Sequence, residues 1–223
     1  MKKALIVFVV LVIAGFTVYK INDEPLPEGK VGPEADLVAN KMLAALNKEA
    51  YDSATIISWS FRGGHRYEWN KPDNMVEVQW DNMLVNFNTT TLTGNAKKDG
   101  EHLNGEVLKK AIDQAWQFFA NDSFWLVAPY KVFDPGTTRS LVDTPQGYGL
   151  LITYSSGGVT PGDSYLWLLD ENYFPSGWKM WTQILPLGGV EFTWTNWDKY
   201  GGFWLAKDHE WLISVPIKDI TVQ

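Results

Sequence analysis

In this chain of 223 residues, the side chains that both titrate near neutral pH and bind transition metals are few: three histidines, His65, His102 and His209, and no cysteine. The histidines are far apart and none falls in an H-E-x-x-H or comparable spacing, so neither a metal site nor a histidine-based catalytic set is expected. Without cysteine there is no disulfide, no thiolate nucleophile, no Cys-ligated zinc and no acylated anchor. Four carboxylates, Asp122, Asp134, Asp163 and Asp170, stand close to aromatic segments on which sugars could stack, and glycoside hydrolysis needs two carboxylates on opposite sides of a bond. Asp134 precedes Pro-Gly and Asp163 follows it, which is ordinary turn chemistry. The Gly-rich stretch Ser155–Asp163 lacks the lysine and spacing of a phosphate loop. A non-catalytic protein without metal or cofactor is therefore the first expectation, with a glycan-acting enzyme using paired carboxylates as an alternative.

The chain is instead rich in aromatic surface, with 12 Trp, 11 Phe and 9 Tyr. Apolar cavities that accept acyl chains are lined by such side chains, and methionine adapts to variable shapes. The ligand-binding candidates are Trp59, Trp80, Phe87, Trp167, Met180 and Trp194 as cavity wall, closed by Trp116 and Phe119. A twelve-carbon chain buried there would contribute about 9 kcal/mol before association costs. Arg62 and Arg66, beside Gly63 and Gly64, could meet an anionic headgroup or be solvated surface arginines. The other reading of the aromatics is a solid core in a structural or interaction domain.

These residues must be held by strands and helices, and the stretch Asp163–Pro186 sets the pattern. Tyr165, Trp167 and Leu169 alternate with Leu166 and Leu168, so both faces of one strand are apolar. After turn chemistry at Asn172–Gly177, Trp178, Met180, Thr182 and Ile184 alternate with Lys179, Trp181, Gln183 and Leu185. Such a hairpin belongs in a sheet covered on both sides, or in one whose concave side lines a cavity. Upstream, Ala35, Val38, Met42, Ala45 and Leu46 recur at helical spacing between Glu34 and Asn47; Ile57 to Phe87 reads as a meander of three or four strands; and Leu108, Ala111, Ile112, Ala115, Trp116 and Phe119 form the apolar stripe of a helix over Asn104–Ala120. Ser123–Gly136, broken by Pro129 and Pro135, reads as a strand or crossing loop. Further strands are expected at Ser140–Val142, Gly149–Tyr154, Val190–Trp197, Gly202–Ala206 and Trp211–Val215. The fold class expected is mainly β with α, a curved antiparallel sheet with helices over its concave face.

Lys2 and Lys3 precede an apolar run, Ala4–Tyr19, with the layout of an export signal, and no A-x-A-like cleavage site follows it. Residues 1–21 are expected to be a signal anchor or signal peptide, 22–33 a Pro/Gly-rich linker, and 34–223 one domain. The positive-inside rule places the domain outside the cytoplasmic membrane, in the periplasm of the cell envelope, with the membrane as a partner through the N-terminal helix. Without Lys2, Lys3 and Lys20, 16 basic residues face 26 acidic ones, about −10, which excludes nucleic acid and disfavours anionic lipid surfaces.

The order helix, meander, helix, aromatic strands, with WSFRGGHRYEW at Trp59–Trp69 and VEVQW at Val76–Trp80, resembles the Lol family of bacterial lipoprotein carriers. NDSFWLVAPYKVFDPG and SGGVTPGDSYLW also look like an uncharacterised family of exported bacterial proteins with that half-barrel. The resemblance implies an incomplete barrel closed by helices over an apolar cavity, and a lipid or acylated protein as partner.

Overall fold

Alternation of side chains across strands decides most of this architecture. The computed structural model describes residues 23–145 and 147–223; the run Ala4–Tyr19 lies outside them. Among the described residues, fifteen strands form two antiparallel sheets, neither closed into a barrel. In chain order they are β1 (Lys30–Val31), β2 (Ile56–Phe61), β3 (His65–Asn70), β4 (Met75–Trp80), β5 (Met83–Asn88), β6 (Gly94–Lys98), β7 (Glu101–His102), β8 (Thr137–Thr144), β9 (Gly147–Tyr154), β10 (Ser164–Leu169), β11 (Pro175–Trp181), β12 (Val190–Thr193), β13 (Thr195–Tyr200), β14 (Phe203–Glu210) and β15 (Ser214–Val222). The smaller sheet has the order β1-β8-β9-β10-β11-β12 and the larger β13-β14-β15-β2-β3-β4-β5-β6-β7. The expected strand Val190–Trp197 is broken at buried Trp194, so one run of chain leaves the smaller sheet as β12 and joins the larger as β13. No helix among the described residues is long and apolar enough to cross a membrane.

Three α-helices among the described residues accompany the sheets: α1 (Pro33–Ala45), α2 (Lys48–Ser53) and α3 (Gly105–Val127). Pro33 opens α1, with Glu34 and Asp36 in the first turn, where carboxylates meet the positive end of the helix dipole. Helix α3 runs seven residues beyond the expected end at Ala120. Asn121, Asp122 and Ser123 read as breakers because such side chains compete for the backbone, but Asp122 spends its carboxylate on partners in β3. The helix yields to a 3₁₀ turn, Ala128–Lys131, at Pro129.

Helix α3 is the central post. Phe119 meets Trp59 and Trp69 of the larger sheet, while Phe124 and Trp125 meet Trp178 of the smaller one. The faces turned to this core carry the aromatic rows: Leu150–Trp167–Trp178–Phe192 and Ile152–Tyr165–Met180–Val190 in register across the smaller sheet, Trp59–Tyr67–Val78–Val85–Ala96 across the larger. The far faces differ. In the larger sheet the alternate row is Ser58–Glu68–Glu77–Asn86–Asn95, as suits a wet face. In the smaller sheet it is Val142–Gly149–Leu168–Gly177 beside Leu151–Leu166–Lys179, with Trp181 beyond.

The Pro/Gly-rich segment expected to be a free linker covers that second apolar face. Its backbone is anchored at Glu24, whose N–H donates to Gly188 O (3.1 Å), whose carbonyl accepts from Trp181 Nε1 (2.8 Å) and whose carboxylate pairs with Lys179 (2.8 Å). Seven residues on, β1 adds to the edge of β8 at Ser140 and Leu141. The hairpin apolar on both faces is thus covered on both sides, by α3 and the core within and by this strap without.

Candidate functional site

Of the eight aromatic and methionine candidates, seven are buried and Trp116 is partly so. Six of them belong to two stacks on successive stretches of α3. Phe119 packs on Trp59 (6.2 Å between centroids) and Trp116 (6.2 Å), and Phe118 reaches Trp80 (5.3 Å). Further along, Trp167, Trp178 and Trp194 stand 4.9–5.0 Å from one another. Phe87 and Met180 lie in the same core, on β5 and β11. These rings fill the interior by touching each other. The indole N–H groups of Trp59, Trp69, Trp167, Trp178 and Trp194 have no hydrogen-bond acceptor. The steep 68–70° angles of Trp194 with Trp167 and Trp178 set ring edges against ring faces, the geometry in which a π-cloud takes such a hydrogen.

The four candidate carboxylates are engaged in separate networks. Asp134 pairs with Lys131, Asp170 accepts the backbone N–H groups of Asn172 and Phe174 in its turn, and buried Asp163 accepts from Gln183 N and Thr160 Oγ1. Asp122 is the one with a histidine. Its Oδ2 accepts from Tyr67 OH (2.5 Å) and pairs with His65 Nδ1 (2.7 Å), and its Oδ1 accepts from Asn121 Nδ2 (2.8 Å). Burial and the neighbouring Asp122 carboxylate push the Tyr67 phenol far above its usual range, so it stays a donor. Sequence reasoning named Asp122 and His65 separately; they are 57 positions apart, and only the packing of α3 on β3 joins them. The three histidines are not brought together, and no cluster of three or more metal-ligating side chains occurs among the described residues.

Two hollows lie outside the core, against the strap. One, of about 250 Å³, is floored by Val142, Leu166, Leu168 and Trp181 and walled by Pro25 and Pro27. Gly149 and Gly177 flank Leu168 in register, and close packing requires glycine at both. A Cβ at Gly149 would come within 2.6 Å of Leu166 Cδ1 and 2.9 Å of Thr144 Cγ2. The rim holds Glu24, Asp143 and Glu191 against one cation, Lys179, which Glu24 and Glu191 already flank. The signal for this site was present in the alternation, since Leu166 and Leu168 oppose Tyr165 and Trp167. What the sequence did not disclose is that the strap would lie there.

No family model matches the chain, and no curated protein matches it. Among solved structures it is similar to a DUF1329 family protein from Desulfovibrio piger, at 9% identity over 85% of this chain and 93% of the other, with a TM-score of 0.41.

Proposed function

We propose that this is an envelope protein that binds one alkyl or acyl chain of an amphipathic ligand without transforming it, in the groove between the smaller sheet and the strap. The observation that carries this reading is the apolar outer face of the smaller sheet, where Val142, Leu166, Leu168 and Trp181 floor a hollow of about 250 Å³ beneath Pro25 and Pro27 of the strap. At ~30 Å³ per methylene, about the share of a water molecule, 250 Å³ seats about eight methylenes. Burial at ~0.8 kcal/mol per methylene gives about 6 kcal/mol before association costs, which makes for reversible holding. With three carboxylates and one paired lysine on the rim, a neutral or cationic head is favoured over an anionic one.

Trp181 on the groove floor supplies the test. A brominated single-chain amphiphile with a trimethylammonium head, kept below its micelle concentration, should quench part of the tryptophan fluorescence of the full chain. That part should vanish in Trp181→Phe and in Leu168→Trp, which fills the groove, and should be much smaller for the same chain with a sulfate head. Quenching that is unchanged in both variants would overturn the assignment. The filled interior beneath α3 favours a second reading, a non-catalytic interaction domain, and no quenching in any variant would leave that one standing.

A further inference from the structure

At one end of the molecule the surface is apolar where a soluble end would be polar. The turn between β14 and β15 exposes three consecutive large hydrophobic residues, Trp211 (43%), Leu212 (82%) and Ile213 (49%), although this stretch has the composition of a strand. Strand register shows what else lies there. Glu210 N donates to Thr193 Oγ1 (3.1 Å) and Trp211 packs on Phe192 (5.9 Å), so the turn runs along β12 towards its start. The β11–β12 connection, with exposed Ile184 (65%), is at that end, and so is the β9–β10 connection, with Val159 (44%). Arg62 joins them: it is exposed, and its N–H donates to Pro216 O (3.1 Å), three residues past Ile213.

The chain leading from the apolar run also arrives here. Asp23 Oδ1 accepts from Gly188 N (3.0 Å) in the β11–β12 connection. Four residue steps separate Tyr19 from Asp23, at most about 14 Å of extended chain. With Ala4–Tyr19 in a bilayer, that short tether holds the end bearing Trp211, Leu212, Ile213 and Ile184 close to the membrane surface.

We infer that this end is a membrane-docking surface, with the Trp211–Ile213 turn inserted among the headgroups of a zwitterionic bilayer. Tryptophan suits that depth, its ring buried and its N–H wet, while Leu212 and Ile213 reach the acyl boundary. Arg62, exposed at the same end, offers a cation to headgroup phosphates. The net charge of the exported part, about −10, turns the protein from strongly anionic surfaces. This inference is independent of the alkyl-chain groove and survives its failure.

Because the chain has no cysteine, Leu212→Cys and Leu92→Cys each give a unique labelling position. Leu92 is exposed in the β5–β6 turn, at the opposite end of the larger sheet from Arg62. The full chain, labelled with a polarity-sensitive fluorophore, is reconstituted into phosphatidylcholine–phosphatidylethanolamine vesicles containing a lipid with a nitroxide near the headgroup. Quenching is expected at position 212 and not at 92. Adding Trp211→Ser and Ile213→Ser should weaken the insertion of the turn by about tenfold per side chain. A label at 212 that is open to aqueous iodide and untouched by the nitroxide overturns the inference. One shielded from both also overturns it, and assigns the turn to a protein partner such as a second copy.

Discussion

His209 sits wholly buried between Trp125 and Trp194, with ring centroids 5.5 and 4.2 Å away. The carbonyls of Thr193 and Trp125 are near its ring, but neither nitrogen reaches hydrogen-bond geometry with them. Desolvation lowers its pKa from 6.5 to about 3. The sign of the consequence is set by the unfolded chain, which takes up a proton near pH 6.5 while the folded one does not until about pH 3. Stability is full above pH 6.5 and falls as pH drops towards 3, at up to about 1.4 kcal/mol per pH unit. Urea denaturation should show a loss of about 2 kcal/mol between pH 7.5 and 5, absent in His209→Gln; equal slopes would mean that another group carries the effect. Asp122 makes the complementary case. A carboxylate in mid-helix among aromatic rings would be costly alone, and Tyr67, His65 and Asn121 supply its donors. Asp122→Leu should therefore cost less than Tyr67→Phe and His65→Leu combined, because it removes the need as well as the partner; chemical denaturation of the three proteins decides it.

Among the elements, the strap departs most from its composition. Three prolines and two glycines between Asn22 and Pro33 read as an extended linker, yet Pro25 and Pro27 wall the hollow, Pro33 opens α1 and Gly29 packs on Ser140. A Cβ at Gly29 would lie 2.2 Å from Ser140 Oγ, so only glycine lets the strap reach the edge of β8. Gly29→Val should lift that end of the strap, speeding tryptic cleavage after Lys30 about tenfold for each 1.4 kcal/mol of local stability lost. The unfolding midpoint of the domain should move little, since the strap's contacts are outside the main core. Cleavage at the unaltered rate would show that Ser140 rotates aside at no cost. Helix α3 differs in the opposite sense: its apolar stripe was plain from Leu108 to Phe119, but its last two turns were hidden because Asn, Asp and Ser favour caps until a tertiary partner claims them.

At the scale of the molecule, Trp194 is the corner at which one strand passes from sheet to sheet, and it packs against Trp167, Trp178, Trp197 and His209. Trp194→Ala should cost about 3–5 kcal/mol, read as a shift in denaturation midpoint; a loss below about 1 kcal/mol would mean the corner is held by backbone pairing alone. Much of this architecture could be read in advance. Periods of two and of 3.6 located the early meander, α1, most of α3 and the hairpin Asp163–Pro186, because burial of one face imposes those periods on the sequence itself. The same alternation disclosed that Leu166 and Leu168 need cover. Alternation cannot say what provides the cover, how a strand divides between two sheets at Trp194, or that Trp211–Ile213 is a turn left in the open. It cannot join Asp122 to His65 either. Those outcomes depend on contacts between residues remote in the chain, where side-chain shape and the register of distant strands, not local period, decide which surfaces meet.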